Sequence, residues 1–396
     1  MKILLLAPEP FYLDRGTPIA VGLLLRALAE RGDVVDVLTY HEGMEFTLPN
    51  VSLHRIPRMP WIRSIRPGLS LAKILCDIVL AFKALRFAVR GNYGCIHAVE
   101  ESVFIALFLK CLFRIPYVYD MDSLLSRQIV DAYPRLKFMM PLLRGLERIA
   151  VRNADAVAPV CRQLADEIQK WTSARVCILQ DISLLDINPD TEAIPIRDRL
   201  KIDGTVILYV GNLEFYQGID LLLQSFAHIA DSAPDSYLVI AGGDDKTIAA
   251  YKARSKTYNG GDRVHFIGPQ PVRQLGGLLS QADILVSPRI RGNNTPMKIY
   301  SYLHSGRVIL ATALPTHTQV LDEEVSALAD PDFVAFGEKM LELIDHPDLR
   351  LRLGEAARRK AEEEHSYSRL KQQIRSLYGW LDEHVSRKSL AASEAS

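Results

Sequence analysis

Arg289, Arg291 and Lys298 stand close together in the stretch Ser287–Lys298, with Gly292 among them and a Thr295-Pro296 pair just before the last. Three cations can neutralise a phosphate group, and glycine lets a ligand approach the backbone. A Thr-Pro start opens a helix whose first N–H groups and dipole favour negative charge. Asn293 and Asn294 add neutral hydrogen-bonding groups. The chemistry available here is anion binding; the competing reading is a basic surface loop.

Three further loops carry polar groups. Gly211-Asn212-Leu213-Glu214-Phe215-Tyr216-Gln217-Gly218 lacks both the G-x-G-x-x-G spacing and a Walker lysine, so neither nucleotide-binding label fits. Asn212 and Gln217 can contact a ligand but cannot neutralise a diphosphate. Arg15-Gly16-Thr17-Pro18 opens a helix, with Thr17 as its expected cap. Asp120-Met121-Asp122-Ser123 offers two carboxylates that orient a substrate, act as base, or cap a helix starting near Ser123. His97, Glu100 and Glu101 invite a metal reading. Adjacent side chains rarely converge on one ion, and no second histidine follows at helical spacing, so no metal site is expected.

The elements that must position these loops are strands and helices in alternation. Lys2–Ala7 is a short apolar run suited to a central parallel strand. Glu9–Gly16 is a loop, Pro18 fits the first turn of a helix that Gly32 stops, and Val34–Thr39 is the next strand. Cys95–Ala98, Tyr117–Tyr119, Ala156–Val160 and Val176–Leu179 continue the series. Asp186–Asp198 reads as a linker. A second series follows, with a helix over Gly218–Ala230 and strands at Val206–Val210, Tyr237–Ala241, Val264–Ile267, Ile284–Ser287 and Val308–Thr312. Pro347–His384 is charged and helical in period. The expected division is residues 1–185, residues 186–372, and a C-terminal helix and tail, residues 373–396, returning to the first domain. In such sheets ligands bind beyond the carboxyl ends of the strands, where all four loops lie.

A chain of 396 residues with 48% hydrophobic content can fill two cores, leaving Ala391–Ser396 as an expected unstructured tail. Zero formal net charge gives no global field for nucleic acid. The five cysteines show no C-x-x-C spacing and sit among apolar neighbours, as reduced thiols of a cytosolic protein do. The apolar run in MKILLLAPEP is too short for a signal peptide, and no uncharged stretch is long enough to span a bilayer. Leu69–Val89 reads as an amphipathic or buried helix. It lies within a basic segment, where Arg55, Arg58, Arg63, Arg66, Lys73, Lys83, Arg86 and Arg90 face the single acid Asp77. That segment either packs on the sheet or binds anionic lipid headgroups reversibly, as a peripheral membrane protein would.

The ordered set of motifs resembles glycosyltransferase family 4. Its marks are Tyr209-Val210-Gly211-Asn212-Leu213 to Gln217-Gly218, Leu238 to Gly243, and Val264-His265-Phe266-Ile267-Gly268. Ala282-Asp283-Ile284-Leu285-Val286-Ser287-Pro288 and the helix from Lys298 to Gly306 before Val308-Ile309 complete the set. The resemblance implies an α/β GT-B architecture, two Rossmann-like domains with parallel sheets facing an interdomain cleft. It implies a metal-independent, retaining transfer of a sugar from a nucleotide-sugar donor, with no other cofactor, to a glycan or lipid-linked acceptor. The donor is expected on the second domain, on Gly211, Asn212, Gln217, Arg289, Arg291, Asn294, Thr295 and Ser301, with Gly16 and Thr17 approaching from the first. Asp122, Lys298 and Asn293 are the expected catalytic residues. The sequence departs from the family where Arg and Lys of the glycine loop become Asn212 and Gln217. Paired glutamates become Asn293 and Ser301, and a histidine becomes Asp122. Those departures leave a second reading, a degenerate GT-B protein that binds nucleotide, sugar or a partner without transfer.

Overall fold

A computed structural model of the chain describes residues 1–11, 16–62, 65, 70–185, 195–292 and 294–394, with side chains to residue 385. It divides into two compact units, Met1–Gln180 with Leu370–Ser396, and Asp181–Arg369. The first unit carries seven strands: β1 (Lys2–Ala7), β2 (Val34–Thr39), β3 (Val51–Arg55), β4 (Cys95–Val99), β5 (Tyr117–Met121), β6 (Ala156–Pro159) and β7 (Arg175–Val176). They form one sheet in the order β3-β2-β1-β4-β5-β6-β7, and each pairing is parallel. Leu4 faces Asp36 on one side and Ile96 on the other, so β1 lies at the point where strand order reverses.

The second unit repeats the plan with β8 (Thr205–Val210), β9 (Ser236–Ala241), β10 (Val264–Gly268), β11 (Ile284–Ser287), β12 (Val308–Thr312) and β13 (Ala327–Ala329). Their order is β10-β9-β8-β11-β12-β13, again parallel throughout. Along β8 the side chains alternate: Val206 and Leu208 enter one core cluster, Ile207 and Tyr209 the other. This period of two, apolar on both faces, is what helices packed on both sides of a sheet require. Strand order reverses between β8 and β11. In such sheets ligands bind beyond the carboxyl ends of the strands at this switch point.

Several local expectations change. The first described helix spans Gly16–Arg31, so Thr17 lies inside its first turn and its hydroxyl serves another residue. The segment assigned as linker, Asp186–Asp198, ends inside a short helix, Ile196–Leu200; residues 186–194 lie outside the described residues. The C-terminal stretch is two helices, Pro347–Glu364 and Tyr367–Glu394, and the second runs into the residues expected to form an unstructured tail. Tyr378 on that helix is fully buried, and its hydroxyl donates to His97 Nδ1 at 2.7 Å.

Candidate functional site

In the second unit the glycine loop after β8 and the cationic loop after β11 meet closely. Gly218 stands at φ +73°, and a methyl there would lie 1.9 Å from the Pro288 carbonyl oxygen. Ile290 N–H donates to Tyr216 O at 3.0 Å, locking the loops together. Gly211, at φ +151°, leaves room for Lys298, whose Nζ would lie 3.3 Å from an added methyl. The position needs glycine for backbone and for space.

Lys298 begins the helix Lys298–Ser305. Its ammonium lies 3.9 Å from the centre of the Tyr209 ring and 3.5 Å from Gln217 Oε1. Gln217 is buried; a neutral amide and an aromatic face are weak partners for a desolvated cation. Burial, with Arg289 adding repulsion, holds the lysine well below its ordinary pKa. Arg289 stacks over Tyr216 at 5.0 Å and donates to Asn294 O at 2.9 Å and Thr316 Oγ1 at 3.1 Å. Burial lowers its pKa too. Its Nε and the Thr295 hydroxyl are buried with no partner among the described residues. A desolvated ammonium with weak partners, an unmatched N–H and an unmatched hydroxyl at one helix entrance make an anion-binding arrangement.

The other expected donor residues fall around this centre unequally. Arg291 is exposed over Phe215, 5.8 Å from the ring centre. Asn212 is exposed, and its Oδ1 accepts from Glu214 N–H at 3.3 Å within the turn. Asn294 offers its carbonyl to Arg289 and Thr316. Ser301 is fully buried, and its hydroxyl accepts from Leu184 N–H at 3.1 Å, where it fastens the segment entering this unit. Asn293 lies outside the described residues.

His317 was not among the expected site residues. Its Nδ1–H donates to Thr312 O at 2.9 Å, so its Nε2 accepts from the Ser287 hydroxyl at 2.9 Å. Burial, Lys298 and Arg289 push its pKa down to about 4 and keep it neutral. It ties the ends of β11 and β12 together beside the cationic loop. One partner, Thr312, is five residues away and the other, Ser287, is thirty, and no motif announces the residue.

The first unit gathers carboxyl groups at the ends of β1, β4 and β5. Thr17 Oγ1 donates to Asp122 Oδ2 at 2.9 Å. Asp120 accepts from His97 Nε2–H at 3.0 Å, and Tyr378 holds the far side of that ring. Neither aspartate caps the following helix, Leu125–Ala132; the buried Glu147 takes that place, accepting from Leu125 N–H at 2.7 Å. Burial and Asp120 raise the Asp122 pKa to about 7, and the Thr17 bond opposes them. Glu100 takes a left-handed φ of +50°, and burial with Asp122 and Glu101 raises its carboxyl well above the usual range. Gly16 is exposed, and no described atom lies within 4 Å of an added methyl. The arrangement can accept a hydroxyl proton near neutrality or orient a sugar. Among the described residues no group of three or more His, Cys, Asp or Glu is placed to hold a metal ion.

The sequence profile described as "Glycosyl transferases group 1" matches residues 190–360, and that of "Glycosyl transferase 4-like domain" matches residues 15–179. An alpha-D-kanosaminyltransferase of Streptomyces kanamyceticus is 22% identical, over 70% of this chain and 74% of its own. The structure resembles sucrose-phosphate synthase of Thermosynechococcus elongatus, with TM-score 0.79 and 21% identity over 97% of this chain and 99% of that one. It also resembles Anabaena HepE in complex with UDP-glucose, with TM-score 0.68 and 16% identity over 96% and 99%.

Proposed function

The chain belongs to the glycosyl transferases group 1 family and is a glycosyltransferase that uses a nucleotide-sugar donor, and on that premise we propose how its own residues carry the transfer. The donor diphosphate binds at the carboxyl ends of β8 and β11, on Lys298, Arg289, the Thr295 hydroxyl and the N-terminus of the helix Lys298–Ser305. The observation that carries this reading is that Lys298 and Arg289 are desolvated cations with no carboxylate partner among the described residues. An anionic ligand restores what burial removes.

In the reaction an acceptor hydroxyl attacks the anomeric carbon, and the bond from that carbon to the diphosphate breaks. The electron pair leaves with the diphosphate. Lys298 and Arg289 favour that step because they face charge that grows as the bond lengthens. Transfer is retaining and metal-independent in this reading. A leaving phosphate oxygen takes the acceptor proton in this reading, with Asp122 assigned to orientation. The first unit handles the acceptor, which Asp122 orients through its carboxylate while Thr17 fixes that group.

The acceptor is lipid-linked and the protein works at an anionic membrane surface. The helix Leu71–Arg90 supports this, because it exposes Phe82 (70%) and Val89 (64%) beside Arg86 and Arg90. Among the described residues no helix is long and apolar enough to cross a membrane.

A thermal-shift panel of nucleoside diphosphates and their sugars tests the donor assignment. A ligand at 100 times its dissociation constant adds about 2.7 kcal/mol of stability. At least one nucleotide sugar should stabilise the protein and be turned over. Stabilisation without hydrolysis or transfer would favour a binding module, and no stabilisation by any of them would remove the donor site.

A further inference from the structure

The first unit contains a cavity of about 190 Å³ that the donor chemistry does not use. Four helices enclose it: Leu71–Arg90, Val103–Phe113, Leu125–Ala132 and Met140–Asn153. Its walls are mostly apolar, with Ile74, Phe104, Ile129, Leu143 and Leu146 lining them. Lys73, Asp77 and Glu101 form a polar end. Lys73 pairs with Glu101 at 2.5 Å, and Tyr40 donates to Asp77. Glu101 follows Glu100 in the turn after β4, and its charge bears on Glu9, Glu100 and Asp77. The polar end therefore belongs to the same carboxyl cluster that includes Asp122.

The cavity also opens to solvent. Ile74, Phe104 and Leu146 line the cavity, yet are 40%, 38% and 45% exposed, so three helices contribute one apolar residue each to its mouth. From each of them an exposed stripe continues at helical spacing. Ile78 and Phe82 follow Ile74, Phe108 and Leu112 follow Phe104, and Leu142 and Ile149 flank Leu146. Charge on these helices is one-sided. Their two carboxylates face inward: Asp77 lines the cavity, and Glu147 is buried at the cap of its neighbour. Arg86, Arg90, Arg148 and Arg152 face solvent. On the three helices that form the mouth the exposed charges are cations, while the fourth helix carries one exposed acid, Asp131; an apolar mouth among exposed apolar stripes and these arginines complements an anionic lipid surface.

We propose that this cavity holds the hydrocarbon chain of a lipid acceptor, entering between Ile74, Phe104 and Leu146 and bringing its polar head to the carboxyl cluster at the ends of β4 and β5. The inference rests on the proposed acceptor role of the first unit and names its substrate class. A dry apolar cavity of roughly 150 Å³ takes a benzene ring, so this one accommodates on the order of six to eight carbons. The rest of a longer chain lies along the exposed stripes.

A homologous series of n-alkanols, butanol to dodecanol, titrated calorimetrically into the full-length protein, tests the assignment. Each methylene buried raises affinity about fourfold, so affinity should climb with chain length and level off once the cavity is full. Leu146→Trp narrows the mouth from a half-exposed position and should lower affinity for octanol at least about tenfold. Ile74→Trp does the same from a different helix, should one variant fold poorly. Nucleoside diphosphate stabilisation of both variants should match the parent. Alkanol binding that is absent, independent of chain length, or equal in both variants and parent would overturn the proposal. With nucleotide binding intact, that result strikes the chain cavity alone; loss of nucleotide binding in the parent strikes the donor reading instead.

Discussion

Replacing Lys298 by methionine separates a ligand-binding lysine from a structural one. Methionine keeps the apolar stem and removes the charge. Among the described residues that charge has an amide oxygen at 3.5 Å and the Tyr209 ring at 3.9 Å for company, and burial disfavours it. Lys298→Met leaves no buried carboxylate unpaired, so stability in urea should hold or rise by up to about 2 kcal/mol. With the diphosphate bound, the same ammonium makes a charge-assisted contact of about 1.5–3 kcal/mol, so nucleoside diphosphate affinity should fall roughly 10- to 100-fold. Because charge on the diphosphate grows as the glycosidic bond breaks, turnover should fall further, by about 10²–10³. Calorimetry, urea unfolding and single-turnover transfer measure the three quantities. Arg289→Met is the contrast. It removes bonds to Asn294 O and Thr316 Oγ1, so it should weaken binding and fold together. Near-parental turnover in Lys298→Met would refute the reasoning, as would a loss of more than about 2 kcal/mol from the ligand-free protein.

Three further outcomes are expected. Thr17→Val removes the bond that favours the ionised Asp122, so the acid limb of the kcat/KM profile should move to higher pH by about 0.7 units; an unmoved limb would separate Asp122 from the profile. His317, pushed down to about 4 in the folded state from an ordinary 6.5, binds fewer protons than the unfolded chain between those values. Stability should therefore fall as pH drops through that window, by about 2 kcal/mol from this residue between pH 8 and pH 5, and His317→Gln should remove that share of the loss. An unchanged pH slope in that variant would count against a buried neutral imidazole. The full chain should sediment with phosphatidylglycerol vesicles at low salt and be released at high salt. Replacing Arg86, Arg90 and Arg148 together by serine should weaken partitioning about 100-fold; retention in the supernatant at every ionic strength would dismiss the membrane surface.

What the sequence revealed depended on how local the determinants were. β1, β11 and β12 were legible end to end because strands buried on both faces read as apolar runs, and β2 was legible although Asp36 interrupts it. β3 is a half-buried edge strand and β13 has three residues, so neither offers a pattern long enough to read. The cationic loop was legible because charge, glycine and a helix start fall within one short stretch. Thr17 misled for the opposite reason: its hydroxyl reaches Asp122, 105 positions away, and local capping statistics know nothing of that. Ser301 sits at a position where family resemblance suggests donor contact, yet its hydroxyl holds Leu184 N–H. The cavity mouth could not be read at all. Ile74 looked like part of one amphipathic helix, and it takes the convergence of Phe104 and Leu146 to make an opening.

Hydrogen–deuterium exchange on the full-length protein, with and without a saturating nucleoside diphosphate, tests the central claim most directly. Protection should concentrate in peptides covering Gly211–Gly218 and Asn294–Ile299, where backbone N–H groups and Lys298 meet the diphosphate. Saturable binding that leaves both peptides exchanging at their ligand-free rates would contradict the account.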